Sequence, residues 1–189
     1  MKPYRSSHHR SACLALSAAI IVWAVTLAPL SHADQFIGPI SEETANHRGP
    51  CGVDQAITGM QCTGSYCDNL YIYCADSPGL IDNSAPAFFG GWVTAVWQGY
   101  SDCGVDGVAV GVECFGSYCS WLRLVCKPLL RRFDGHGNYT CSTGLQYFSD
   151  EEPFCSFNGT YLQELGCNGD YCDNVFPITA NYLPSRGTP

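Results

Sequence analysis

Three short cysteine loops carry the residue types best suited to chemistry. They read Gly64-Ser-Tyr-Cys-Asp-Asn69, Gly116-Ser-Tyr-Cys-Ser-Trp121 and Gly169-Asp-Tyr-Cys-Asp-Asn174. Each sets a tyrosine beside a half-cystine, and two of them follow it with a carboxylate and an amide. An aromatic ring stacks on the apolar C–H face of a sugar, while Asp and Asn hold its hydroxyls. Tyr66, Asp68, Asn69, Tyr118, Trp121, Tyr171, Asp173 and Asn174 are therefore the candidate binding residues. Presented on three tips, they would bind multivalently. Ser120-Trp121 replaces Asp-Asn in the second loop, so at most two of the three sites are equivalent. The competing structural role is also clear: Asp and Asn suit turns because they bond their own backbone, and a tyrosine can pack over the adjacent cystine.

Catalysis has thinner support. Asp150-Glu151-Glu152 is the densest acidic cluster, and paired carboxylates could serve glycoside hydrolysis. Three adjacent acids in such a segment more often form a solvated rim. His47 and His136 have no nearby nucleophile with an orienting acid, so both read as solvated loop histidines. No loop supplies the regular oxygen ligands of a calcium site, and four-residue cysteine spacing departs from zinc motifs. No cofactor is expected, and the chain reads as a binding protein rather than an enzyme. Arg131-Arg132 is a lone basic spot. Asn138-Tyr-Thr140 and Asn158-Gly-Thr160 are acceptor sequons that otherwise read as turns.

The loops are positioned by an internal repeat. Cys51, Cys62, Cys67 and Cys74 recur as Cys103, Cys114, Cys119 and Cys126, with spacings of 11, 5 and 7 residues and an offset of 52. A third repeat begins 52 residues on at Cys155 and continues through Cys167 and Cys172 with one residue inserted. Repeat symmetry suggests Cys51–Cys74 and Cys103–Cys126 as staples and Cys62–Cys67, Cys114–Cys119 and Cys167–Cys172 as small loops. Repeat three lacks the last cysteine, which leaves Cys141 to pair with Cys155.

Met1 to Ala33 reads as a signal peptide: Lys2, Arg5 and Arg10, an apolar run from Ala12 to Leu30, then Ser31-His32-Ala33 for cleavage. What remains keeps 12 of the 13 cysteines, an even number that suits disulfides in an oxidising compartment. It carries 17 acids against six basic residues. That surface repels phosphate backbones and anionic membranes, which leaves a glycan or an extracellular protein as the expected partner.

Two-residue alternation predicts strands at 56–61, 70–73, 108–113 and 122–125, with further strands at 92–97 and 144–149. Turn residues punctuate them, and 75–89 reads as a mobile loop. Three such units bury their apolar faces by packing about a pseudo-threefold axis, as in a β-prism or a β-trefoil.

The order of these features resembles the vitelline membrane outer layer protein family. The matching residues are Trp92 and Trp97 before Cys103, Gly107 and Gly111 after it, and Leu122 to Cys126. In repeat one they are Cys51, Gly59, Asp68-Asn69 and Tyr71-Ile-Tyr-Cys74. The resemblance implies a β-prism of three repeats. The short, doubly cysteine-bound loop departs from that pattern, so no activity carries over. The loops also resemble cysteine-rich repeats of secreted bacterial proteins.

The sequence thus reads as an all-β, pseudo-threefold β-prism spanning 34–183, with a tail at 184–189 and cysteine cores at 51–74, 103–126 and 155–179. The expected role is a secreted or periplasmic lectin-like module. The alternatives are a protein-binding or inhibitor module, and a glycan-processing enzyme.

Overall fold

The computed structural model describes residues 34–43, 47–96, 99–130, 140–141, 147–149 and 154–181. The expected signal peptide and tail, Asp150 to Glu152, Arg131-Arg132, His136 and Asn138 lie outside the described residues. The described chain is all-β, with three single-turn 3-10 segments and no α-helix. Alternation makes the strands: in β4 (Asn69–Asp76) buried Leu70, Ile72 and Cys74 alternate with half-buried neighbours. β14 (Asn174–Ala180) repeats the pattern with Val175 and Pro177.

Each repeat folds as an antiparallel hairpin: β3 (Gln55–Thr63) with β4, β8 (Gly107–Phe115) with β9 (Trp121–Pro128), and β13 (Tyr161–Asn168) with β14. All three hairpins have an irregularity at the same place, between Ile57 and Gly59, Ala109 and Gly111, and Leu162 and Glu164. A bulge at one repeat position bends each first strand alike.

Every hairpin seeds its own sheet, and the sheets trade strands in a ring. β2 (Arg48–Pro50), which leads into repeat one, pairs with β8 of repeat two. β7 (Tyr100–Asp102), which leads into repeat two, pairs with β13 of repeat three. β12 (Phe154–Ser156), which opens repeat three, pairs with β3 of repeat one. The remaining strands stay home: β1 (Gln35–Ile40) on β4, β5 (Phe88–Phe89) and β6 (Val93–Thr94) on β9, and β11 (Phe148–Ser149) on β14. A short β10 (Thr140–Cys141) pairs with β12. No repeat completes its sheet alone.

The shared core follows from this exchange. Ile40, Ile57, Met60, Leu70, Ile72, Val112, Leu122, Leu124, Leu162, Leu165 and Phe157 form one buried cluster together with the cystines. Six bridges join Cys51–Cys74, Cys62–Cys67, Cys103–Cys126, Cys114–Cys119, Cys141–Cys155 and Cys167–Cys172. They are the pairs that repeat symmetry suggests, and six disulfides suit an oxidising, extracytoplasmic compartment. Among the described residues no helix is long and apolar enough to cross a membrane.

Two segments differ from expectation. The stretch expected as a mobile loop at 75–89 is packed: Leu80 and Ile81 are buried, and Ile81 bridges to Leu129. Its apolar residues fill a second small cluster with Val108 and Val125, which turn composition did not reveal. Of the stretches expected as strands at 92–97 and 144–149, Trp97 and residues 144–146 lie outside the described residues, and the described remainder forms the residue pairs of β6 and β11.

Candidate functional site

The three cysteine loops share one backbone solution. Gly64, Gly116 and Gly169 each take φ near +80° with ψ near 180°, a region open essentially to glycine alone. The next residues form one 3-10 turn in which the tyrosine and cysteine both adopt positive φ, between 52° and 63°. In repeats one and three the aspartate folds back onto that glycine. A Cβ on Gly64 would lie 1.9 Å from Asp68 Oδ1, and one on Gly169 would lie 1.7 Å from Asp173 Oδ1. Asn69 Nδ2 donates to Asp68 Oδ1 at 2.7 Å, and Asn174 Nδ2 donates to Asp173 Oδ1 at 2.8 Å. These carboxylates and amides thus bond within their own turns. Asp68 is nearly buried; burial and then the nearby Glu42 carboxylate push its pKa up, against the hydrogen bond from Asn69.

The strand exchange gathers the three tips at one place. The rings of Tyr66, Tyr118 and Tyr171 contact each other pairwise, with centroids 5.2–5.5 Å apart and tilts of 59–65°. Aromatic quadrupoles favour such edge-to-face arrangements. Beneath the rings, cystine sulfurs and carbonyls interlock in a ring of their own. Cys119 Sγ lies 3.3 Å from the carbonyl of Asp68, Cys172 Sγ 3.5 Å from that of Ser120, and Cys67 Sγ 3.4 Å from that of Asp173. These sulfurs are disulfide-bonded and carry no proton, so the approaches are S···O contacts rather than hydrogen bonds. All three tyrosines keep 37–45% of their surface exposed. The result is one composite aromatic tip instead of three separated sites.

The junctions between the repeats differ. Where repeat one meets repeat two, the carboxylate of Glu42 accepts hydrogen bonds from the backbone N–H groups of Tyr118 and, at 3.2 Å, Cys119. Successive N–H groups in a left-handed turn make such an anion-holding concavity. Glu42 also lies within ligand distance of Cys114 and Cys119, but those sulfurs are bonded to each other and offer no thiolate for a metal. Where repeat two meets repeat three there is instead a groove of about 750 Å³, lined by Thr94, Val96, Ser120, Trp121, Asp170 and Tyr171 among others.

The described basic residues nearest the aromatic surface are internally paired. Arg123 lies over the rings of Phe89 and Trp92, at 4.1 and 4.3 Å, and Arg48 lies 4.9 Å from Phe89. Both arginines pair with Glu113. Burial works to raise the Glu113 pKa, but the hydrogen bonds from Arg48 and Arg123 outweigh it and hold the carboxyl below the usual range. Asn158 occupies an exposed turn at positive φ, closed by a hydrogen bond from Thr160 N to Phe157 O at 2.8 Å. His47 contributes its carbonyl to Cys114 N–H.

Sequence reasoning missed Glu42, Ala95 and Asp170. The 52-residue cysteine offset does not extend to the upstream strand: Ile40 pairs with Leu70 as Val93 pairs with Leu122, and this register of 53 places Ala95 opposite Glu42. No family model, curated protein or solved structure matches the chain.

Proposed function

We propose that this protein is a secreted or periplasmic recognition module that binds extracellular or cell-wall glycans in a lectin-like manner. In this reading the three sheets are the faces of a pseudo-threefold β-prism, and its ligand end is the composite aromatic tip. The observation that carries the reading is the cluster of Tyr66, Tyr118 and Tyr171. It exposes three aromatic edges on a backbone fixed by three cystines. Rigid aromatic surface suits the weakly polar faces of sugar rings, because little conformational freedom is lost on binding.

The test is saturable binding of the oxidised protein to an array of glycans and cell-wall polysaccharides, repeated with Tyr66→Ala and Tyr171→Ala. The expected result is binding to one sugar class, weakened about tenfold or more in each folded variant. Absence of binding across the array, or unchanged binding by folded variants, overturns the reading.

A protein-binding module is the second reading. It is favoured by the apolar exposure flanking the tip: Phe115 is 65% exposed and Val96 84%. That role predicts a negative array together with saturable binding to cell surfaces stripped of glycans.

A further inference from the structure

The groove between repeats two and three occupies the place that Glu42 fills between repeats one and two. Three correspondences establish this. Val93 pairs with Leu122 as Ile40 pairs with Leu70, so Ala95, in the groove wall, is the counterpart of Glu42. Ser120, also in the wall, is the residue 52 positions after Asp68, whose carboxyl feels the charge of Glu42. The third wall, Gly169-Asp170-Tyr171, matches Gly116-Ser117-Tyr118, the turn whose N–H groups Glu42 holds. Exchanging a glutamate for an alanine withdraws the internal acceptor. Among the described residues, no side chain accepts from the Tyr171 N–H or the Cys172 N–H.

The other differences at this junction change its chemistry in a consistent direction. Trp121 stands where repeat one has Asn69, and it adds an indole wall that is 39% exposed. Asp170 stands where repeats one and two have Ser65 and Ser117, and it brings a carboxylate to the rim. The groove therefore offers a flat apolar wall, a pair of backbone donors and a carboxylate acceptor. A second anion seated on the donors would face Asp170, whereas a neutral polyol with both acceptor oxygens and donor hydroxyls satisfies all three.

We infer that this groove is a binding subsite for one neutral pyranose unit. The ring stacks on Trp121, a ring or hydroxyl oxygen accepts from the Tyr171 and Cys172 N–H groups, and a hydroxyl donates to Asp170. The inference rests on the glycan-binding reading above and gives it a location and a charge preference. The intact partner site, with Glu42 as a built-in acceptor, shows within the same molecule what kind of atom this turn holds.

The experiment is an NMR titration of the oxidised protein with glucose, galactose, mannose and their oligomers, and with glucuronate as the charged counterpart. A neutral sugar should shift the Tyr171 and Cys172 amides and the Trp121 indole N–H saturably. The Tyr118 and Cys119 amides, held by Glu42, should stay still. The double variant Ala95→Glu/Asp170→Ser rebuilds the repeat one–two arrangement and should weaken binding about tenfold or more with an otherwise unchanged spectrum. Asp170→Ser alone should narrow the preference for neutral sugars over glucuronate.

Neutral-sugar binding that the double variant leaves unchanged, or shifts that map elsewhere, overturns this site while the glycan reading stands. Tighter binding of glucuronate than of the neutral sugars overturns the charge preference on which the site is argued. No shift with any saccharide, together with a negative glycan array, overturns the site and the glycan reading together.

Discussion

The junction of repeats one and two and the junction of repeats two and three are built on the same turn, yet one is filled and the other open. At the first, Glu42 spans from β1 to the Tyr118 turn and satisfies its N–H groups. At the second, Ala95 lies at the matching position and brings no acceptor, and an indole faces the gap. The backbone is thus conserved between repeats while the side chains that bridge them are not. A repeat protein can in this way make a cavity by withdrawing one side chain, without disturbing the loop that borders it. The cystine in each loop matters here, since the turn's shape does not depend on the bridging residue.

The sharpest way to break the comparison is at the turn glycines. Gly169→Ala forces a side chain into a glycine-only conformation and against Asp173, so a loss of about 3 kcal/mol is expected. Gly116→Ala meets the Ser120 hydroxyl at 2.8 Å and Trp121 Cδ1 at 3.1 Å, a milder clash, and should cost about 1–2 kcal/mol. Urea denaturation of both variants checks the order. Equal losses would mean that the aspartates do not brace the turns.

A smaller effect is expected at Glu42. Glu42→Ala leaves the Tyr118 N–H without its acceptor and the Cys119 N–H with only the Gly116 carbonyl, at 3.2 Å, which costs about 1–2 kcal/mol, partly offset by relief of repulsion with Asp68. The same variant should open a second groove, read as faster hydrogen exchange at the Tyr118 and Cys119 amides. Unchanged exchange would show that the two junctions are not governed by this residue.

The smallest effect concerns Asp68. Its raised pKa means that the folded protein holds this proton more tightly than the unfolded chain does. The stability that follows is full below the ordinary aspartate range and is lost as pH rises through the raised value. Asp68→Asn removes that loss while keeping an acceptor for the turn. The variant should be modestly more stable than the native protein at about pH 7 and should match it at about pH 3. A variant less stable at both pH values would assign Asp68 a favourable charge interaction instead.

Much of the architecture was legible beforehand because the cysteines are periodic. Identical spacings of Cys51 to Cys74 and Cys103 to Cys126 imply identical local geometry, and the pairing follows from symmetry. Alternation located β3, β4, β8 and β9, since a half-buried strand must present every second residue to the core. The packed course of 75–89 was not legible. Leu80 and Ile81 sit among turn residues, and their burial depends on strands far away in sequence.

The sequence by itself determined the cysteine pairing, the all-β character, the repeat, and the loop conformation that Gly-x-Tyr-Cys requires. Those are local, periodic or compositional properties. Only the tertiary structure decided that Tyr66, Tyr118 and Tyr171 meet, because the ring of exchanged strands draws three distant loops to one end. It also decided that Glu42 closes one junction while Ala95 leaves another open. That contrast concerns which side chain reaches across a gap between repeats, and no spacing rule within a repeat encodes it.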